Sequence, residues 1–231
     1  MIKNIFKIIA VLILGAIGGM LFQLFILPCL IDHPYFGNLS FIKNLKREVI
    51  VNPVERIIIE ENTALEDAFE KVEKSVVGFD NGCGLIITSD GLIVTLADLL
   101  PKTGNELFLE GEKVGFEILR EDPKQNLALI KINRNDLSTC KFADLAKLKM
   151  GQKVFLAGTI IENKIPKKIV NEGVIKIIDE NAIRTNIFEK NILRGSPLFN
   201  IKGEVLGLNT IDSEGKVTAI PITEIRKFAG F

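Results

Sequence analysis

The chain has 231 residues, 47% hydrophobic and 25% charged, a composition that excludes a disordered or collagen-like protein. Lysine plus arginine and aspartate plus glutamate both number 29, so the formal charge is zero and no basic excess marks a nucleic-acid reader. Three cysteines, Cys29, Cys83 and Cys140, lack metal-ligand spacing and predict no zinc site and no disulfide framework.

The mean hydropathy of +0.28 has a local source at the N-terminus. From Ile8 to Leu27 the only strongly polar residue is Gln23. At about 1.5 Å rise per residue this run covers roughly 30 Å, the hydrocarbon thickness of a bilayer. Lys3 and Lys7 precede it, and Asp32 and His33 follow. That asymmetry predicts a cytoplasmic start and anchor over 1–31, with the remainder extracytoplasmic. A cleaved signal peptide needs small residues before its cut, and Leu24 to Ile31 supplies none. Cys29 follows Ile26-Leu27-Pro28, which also lacks the small residues of a lipoprotein signal. Gly15 and Gly19 form a small-xxx-small pair that would let two anchors touch.

Residues 32–61 read as a tether, broken by Pro34, Gly37, Asn38 and Pro53. Thr63-Ala64-Leu65-Glu66 fits a capping box, and Leu65, Phe69 and Val72 make one apolar stripe. The spacing predicts a helix over about 64–73. From Val76 the pattern turns to short β-branched runs separated by turn residues. Leu92-Ile93-Val94-Thr95, Leu127 to Ile132, Val154 to Ala157, Pro197 to Phe199 and Glu204 to Leu208 are the clearest strands. Ser89-Asp90-Gly91, Asn200 to Gly203 and Ser213-Glu214-Gly215 supply hairpin turns. About ten to twelve strands and a final helix, Thr223 to Phe228, point to an all-β barrel or sandwich over 62–231. No internal repeat is visible.

Gly82-Cys83-Gly84-Leu85-Ile86-Ile87-Thr88-Ser89-Asp90-Gly91-Leu92-Ile93-Val94-Thr95 is the first of five ordered segments that carry a resemblance. Asp122 to Lys131 is the second, and Ile183 to Asn200 continued by Gly203 to Thr210 is the third. Gly151 to Gly158 and Ala219 to Ile222 are weaker matches. Together, over about 55–231, they resemble trypsin-like serine proteases and most closely the membrane-anchored HtrA/Deg family. The resemblance implies two six-stranded antiparallel barrels of the chymotrypsin/trypsin type. It also implies a catalytic histidine, aspartate and serine, which this chain replaces with Asp98, Asn126 and Arg194. The C-terminal PDZ domain usual in that family has no counterpart before Phe231.

A serine attacks a carbonyl only when a base in hydrogen-bond reach takes its proton and returns it to the leaving amine. The sole histidine, His33, falls outside the matching region, and an arginine at the nucleophile position stays protonated. The resemblance places the oxyanion loop at Ile192, Leu193 and Arg194, and β-branched Ile192 stands where the family has glycine. Ser196 and Cys83 are the remaining hydroxyl and thiol to weigh as nucleophiles, and neither has a visible base. Asp98 and Arg194 inherit adjacent positions, so either they pair across the old cleft or Arg194 points to solvent.

The leading expectation is a membrane-anchored, catalytically inactive protease homologue that binds an extended peptide or unfolded protein, or assembles with an active relative. Strand addition needs edge backbone rather than a triad. An endopeptidase with a non-standard site and a purely structural envelope module are the alternatives. No cofactor, metal or nucleic acid is expected, and an oligomer is compatible with the resemblance.

Overall fold

The structure is a computed structural model that describes residues 2–26, 61–163 and 165–231. The chain divides into two compact units, Met1–Ile57 and Ile58–Phe231.

In the first unit, α1 (Ile2–Leu21) runs into a π-helical turn, Phe22–Ile26. The apolar stretch is therefore helical, as its composition requires. Among the described residues, however, no helix is long and apolar enough to cross a membrane. Lys3, Asn4 and Lys7 occupy the first turns of α1, so its apolar part runs from Ile8 to Leu21, about 14 residues and ~21 Å of rise. Of the expected span over 8–27, residues 8–26 are helical, and the regular α-helical apolar part is shorter than expected. Leu27, Cys29, Asp32, His33 and the tether up to residue 60 lie outside the described residues.

The second unit opens with α2 (Glu61–Val72), continued by a 3-10 turn, Glu73–Ser75. The helix starts before the expected capping box, so Thr63 lies inside its first turn. Ala68 and Val72 are buried, and Leu65 and Phe69 pack beside them. The apolar stripe faces the core as its spacing predicts, whereas the expected cap at Thr63 is already helical.

Twelve strands follow among the described residues, in two closed barrels. The first holds β1 (Val76–Phe79), β2 (Gly82–Ile86), β3 (Leu92–Thr95), β4 (Glu106–Leu109), β5 (Glu112–Asp122) and β6 (Leu127–Ile132). Its order is β1-β2-β3-β6-β5-β4, closed by Gly78 of β1 opposite Phe108 of β4. The second holds β7 (Lys153–Glu162), β8 (Ile165–Asp179), β9 (Ala182–Phe188), β10 (Pro197–Asn200), β11 (Val205–Ile211) and β12 (Lys216–Pro221). There β7 pairs with both β8 and β10 and closes the ring. Helix α3 (Ile222–Ala229) ends the chain and buries Ile222, Ile225 and Phe228.

Every neighbouring pair is antiparallel, which is why short turns suffice between most strands. Alternate residues of β1, β2 and β6 serve two cores. Val77, Phe79, Ile86, Ile130 and Ile132 fill the first barrel. Val76, Leu85, Leu127 and Leu129 face outward into a second cluster, shared with Phe155, Phe199 and Leu206 of the other barrel. Strands buried on both faces read as unbroken apolar runs, and these were the strands visible in the sequence.

Candidate functional site

Three loops meet where the barrels share this second core. The first leaves β3 and forms a 3-10 turn, Ala97–Leu99, pinned by fully buried Leu96 and Leu99. Asp98 lies between two buried residues and is itself exposed. The second loop is the β5–β6 turn. It ends at Asn126, whose φ of 53° is left-handed, a conformation that asparagine tolerates better than most residues. Its carbonyl accepts from the Ala97 N–H at 3.2 Å, and its side-chain Oδ1 accepts from the Asp98 N–H at 3.0 Å. Asn126 thereby ties the Asp98 turn to the next strand.

The third loop precedes β10. A 3-10 turn, Asn191–Leu193, leads to Arg194 and then to Gly195, whose φ is 74°. The Arg194 carbonyl accepts from the Cys83 N–H at 2.8 Å, so this loop is stitched to the start of β2. Glycine is required at Gly195, because a Cβ there would lie 2.4 Å from the Cys83 carbonyl oxygen.

Asp98, Asn126 and Arg194, the positions at which the resemblance expects the catalytic residues, come together, and Asp98 and Arg194 are in contact. Arg194 Nη2 donates to Asp98 Oδ2. The arginine side chain is 25% exposed and the aspartate 44%. The Arg194 Nε–H is buried and has no hydrogen-bond partner among the described residues. The cluster thus consists of a carboxylate, an amide and a guanidinium, and its one charge-assisted bond closes the space between two loops.

Residues 82–208 match the trypsin-like peptidase domain family. The chain belongs to that family. Among curated relatives it is 31% identical over 141 residues to a probable periplasmic serine endoprotease, DegP-like, of Pseudomonas putida F1, covering 56% of this chain and 28% of the relative. With serine protease HTRA1A of Danio rerio it shares 31% over 162 residues, 64% of this chain and 34% of the relative. Serine protease HTRA1 of Xenopus laevis is 30% identical over the same length. The chain spans about a third of the length of these relatives, and the likeness supports an HtrA-type trypsin-like fold.

Within this trypsin-like domain the other nucleophile candidates are accounted for by packing. Ser196 is fully buried, and its Oγ accepts from Asn209 Nδ2 at 2.6 Å. Cys83 is also fully buried, and its Sγ–H donates to the Thr159 carbonyl at 3.5 Å. Burial pushes the thiol pKa up to about 12, so it stays protonated at neutral pH and is a poor nucleophile.

The loop assigned to the oxyanion hole takes a compact form. The Leu193 N–H donates to the Lys190 carbonyl at 3.0 Å, and the Gly195 N–H donates to the Asn209 carbonyl at 3.0 Å. Leu193 is fully buried, and a Cβ on Gly158 would meet its Cδ2 at 2.4 Å. Ile192 is half-buried against the same core. Sequence reading singled out Ile192 and did not anticipate the burial of Leu193 or the Ser196–Asn209 bond. Both depend on partners far along the chain and leave no periodic signal.

Proposed function

We propose that this chain is an HtrA-type trypsin-like domain that has given up peptide-bond cleavage and serves in peptide or protein binding, or in assembly. The observation that carries the reading is the Arg194–Asp98 contact, reinforced by Asn126, at the positions that the family resemblance assigns to serine, histidine and aspartate. A protonated guanidinium cannot attack a carbonyl, and a carboxylate held by it has no hydroxyl to activate. The oxyanion loop is the second support. The resemblance puts its donors at the amides of Ile192 and Arg194, and a β-branched Ile192 stands where the family has the glycine that lets such a loop form.

The reading extends to location. The apolar residues of α1 and the following turn, including Val11, Leu14, Met20 and Phe25, are exposed in their own unit. Such a surface favours burial in lipid, which supports a signal anchor with a cytoplasmic N-terminus. The Pseudomonas putida relative is named as periplasmic, consistent with an extracytoplasmic trypsin-like domain.

Purified full-length protein offered casein or a peptide mixture is expected to release no fragments and to take no label from a fluorophosphonate probe. Turnover or labelling that disappears in Ser196→Ala overturns the inactive reading. Selection from a peptide library on the immobilised chain tests the binding role, and a failure to enrich any peptide favours a structural envelope module. Alkaline extraction of membranes tests the anchor: the chain stays in the pellet, and release into the supernatant refutes it.

A further inference from the structure

The second unit divides its charges unevenly along the chain. From Glu61 to Ile132 it carries 14 acidic and 7 basic side chains, and from Asn133 to Phe231 it carries 11 acidic and 16 basic. The basic half holds the second barrel, and an excess of that sign favours an anionic partner.

Antiparallel pairing sets the start of β7, the end of β8 and the β10–β11 turn at one end of that barrel. Met150 lies in the turn leading into β7 and is 71% exposed, more than any other large apolar side chain described in the second unit. The Gly151 N–H donates to the Ile175 carbonyl at 2.8 Å, and the Ile175 N–H donates to the Gln152 carbonyl at 3.1 Å. These bonds set the Met150 turn beside Lys176 and Ile177 of β8. Gln152 also lines a cavity of about 380 Å³ together with Lys147, Leu148, Ile201 and Lys202. The Met150 turn, the end of β8 and the β10–β11 turn therefore share one continuous surface.

Ile177 and Ile201 are each 41% exposed on that surface. Aliphatic groups left in water at one end of a barrel lose the free energy of burial and mark a face that something covers. The lysines among them are unspent. Lys149, Lys176 and Lys202 are exposed, and their ammonium groups have no ion pair or hydrogen bond among the described residues. Most nearby acids are already engaged. Asp144 pairs with Lys147 at 3.0 Å, Asp179 pairs with Arg184 at 2.9 Å, and Glu204 Oε2 accepts from Asn200 Nδ2 at 2.7 Å. Glu180, at the β8–β9 turn, is exposed and unpaired among the described residues, so three free lysines face one free glutamate.

Separate aliphatic side chains with lysines between them suit a lipid interface. The aliphatics enter the boundary of the acyl region while the lysine stems reach back to the headgroups. We propose that this end of the second barrel docks on an anionic lipid surface, with Lys149, Lys176 and Lys202 on the headgroups and Met150, Ile177 and Ile201 at the acyl boundary. Docking of this kind is separate from the anchor. A hydrophobic anchor holds in neutral and charged bilayers alike, whereas this surface needs negative lipid.

Full-length protein in phosphatidylcholine nanodiscs, with and without phosphatidylglycerol, tests this by mass-spectrometric footprinting with an amine-reactive reagent and dilute peroxide. In the anionic discs Lys149, Lys176 and Lys202 are expected to label about fivefold more slowly, and Met150 to oxidise more slowly by a similar factor. Lys113 and Lys124 of the first barrel are internal references and should change less than about twofold. Salt at about 1 M should restore the lysine labelling. The triple variant K149E/K176E/K202E should lose the protection of Met150 and keep its melting temperature, since none of the three ammonium groups has a partner to lose. Equal labelling in the two lipids overturns the proposal. So does slowed lysine labelling with unchanged Met150 oxidation, the mark of a diffuse ion atmosphere, or protection shared equally by Lys113 and Lys124. Recovery of the protein with neutral discs reports the anchor alone, so the two readings fail separately.

Discussion

The first barrel runs β1-β2-β3-β6-β5-β4 and the second β7-β8-β9-β12-β11-β10, so each sets its six strands in the same order. Their surroundings differ. The first barrel has a small interior core of its own and contributes the outer faces of β1, β2 and β6 to a larger cluster. The second barrel has its interior within that larger cluster and turns β8 largely to solvent. Both barrels bury some strands on two faces, β7, β10 and β11 in the second as well as β1, β2 and β6 in the first, but only the first keeps a separate interior cluster. The lesson is that the cleft between them is built on a shared core rather than on two self-sufficient halves, and the Asp98, Asn126 and Arg194 loops sit on its rim.

The severest test of that view removes the centre of the shared core. Phe155 and Phe199 are fully buried and stacked, with ring centroids 5.4 Å apart. Phe155→Ala is expected to cost about 3–5 kcal/mol, the range for a buried aromatic truncated to alanine. If the barrels share a core, urea unfolding of this variant remains a single transition that carries both barrels with it. Two separated transitions would break the comparison.

Gly195→Ala probes the seam between the barrels. The new Cβ would meet the Cys83 carbonyl oxygen at 2.4 Å on a backbone with φ 74°. Both penalties act together, so a loss of roughly 2–3 kcal/mol is expected by denaturant titration. Gly104 also has positive φ (72°), yet its Cβ would meet nothing within 4 Å. Gly104→Ala should therefore cost less, since only the backbone strain remains, and equal losses would show that the seam is not tight.

A third tie crosses between the barrels at the end of the chain. Arg120 of β5 donates from Nη1 to the Phe228 carbonyl at 2.8 Å, and its guanidinium lies 4.9 Å from the Phe228 ring centroid. Losing one such hydrogen bond and one cation–π contact at the surface is worth about 1 kcal/mol. Arg120→Met is expected to lower the melting temperature modestly and to speed hydrogen exchange in α3 before other elements. Unchanged exchange in α3 would mean that the helix is held by Ile222, Ile225 and Phe228 alone.

A contrast between strands within each barrel explains what is legible in the sequence. β3 and β6 match their expected bounds because both faces of these strands are apolar. β8, the longest strand at 15 residues, carried no readable pattern, since most of its residues are exposed. It is a strand because β7 pairs with it at ten positions in register, a property of its partner rather than of its own periodicity. β5 is hidden for the same reason, with only Phe116 buried along its length. At the site, Asp98, Asn126 and Arg194 are marked only by the resemblance to the HtrA/Deg family, through the segments that surround them. Their contacts span 28 and 96 positions, and nothing local encodes the Asn126 hydrogen bond or the direction in which Arg194 points.

The smallest expected effect concerns the ion pair itself. Asp98 is 44% exposed and Arg194 25%, so solvent screens their attraction and a double-mutant cycle should return about 0.2–1 kcal/mol. Asp98→Asn, Arg194→Met and the double variant complete the cycle, read by urea denaturation at low and high salt. The coupling should shrink with salt, as for any partly exposed pair. A coupling several times larger would mean that the guanidinium is effectively buried, a view to which its enclosed Nε–H lends weight. In that case Asp98→Asn would be far more damaging than Arg194→Met, because it strands a cation without a counter-charge, whereas the reverse change leaves a carboxylate that reaches water. The ratio of the two single-variant losses, more than the coupling itself, therefore tells whether the pair merely bridges the rim of the cleft or seals it.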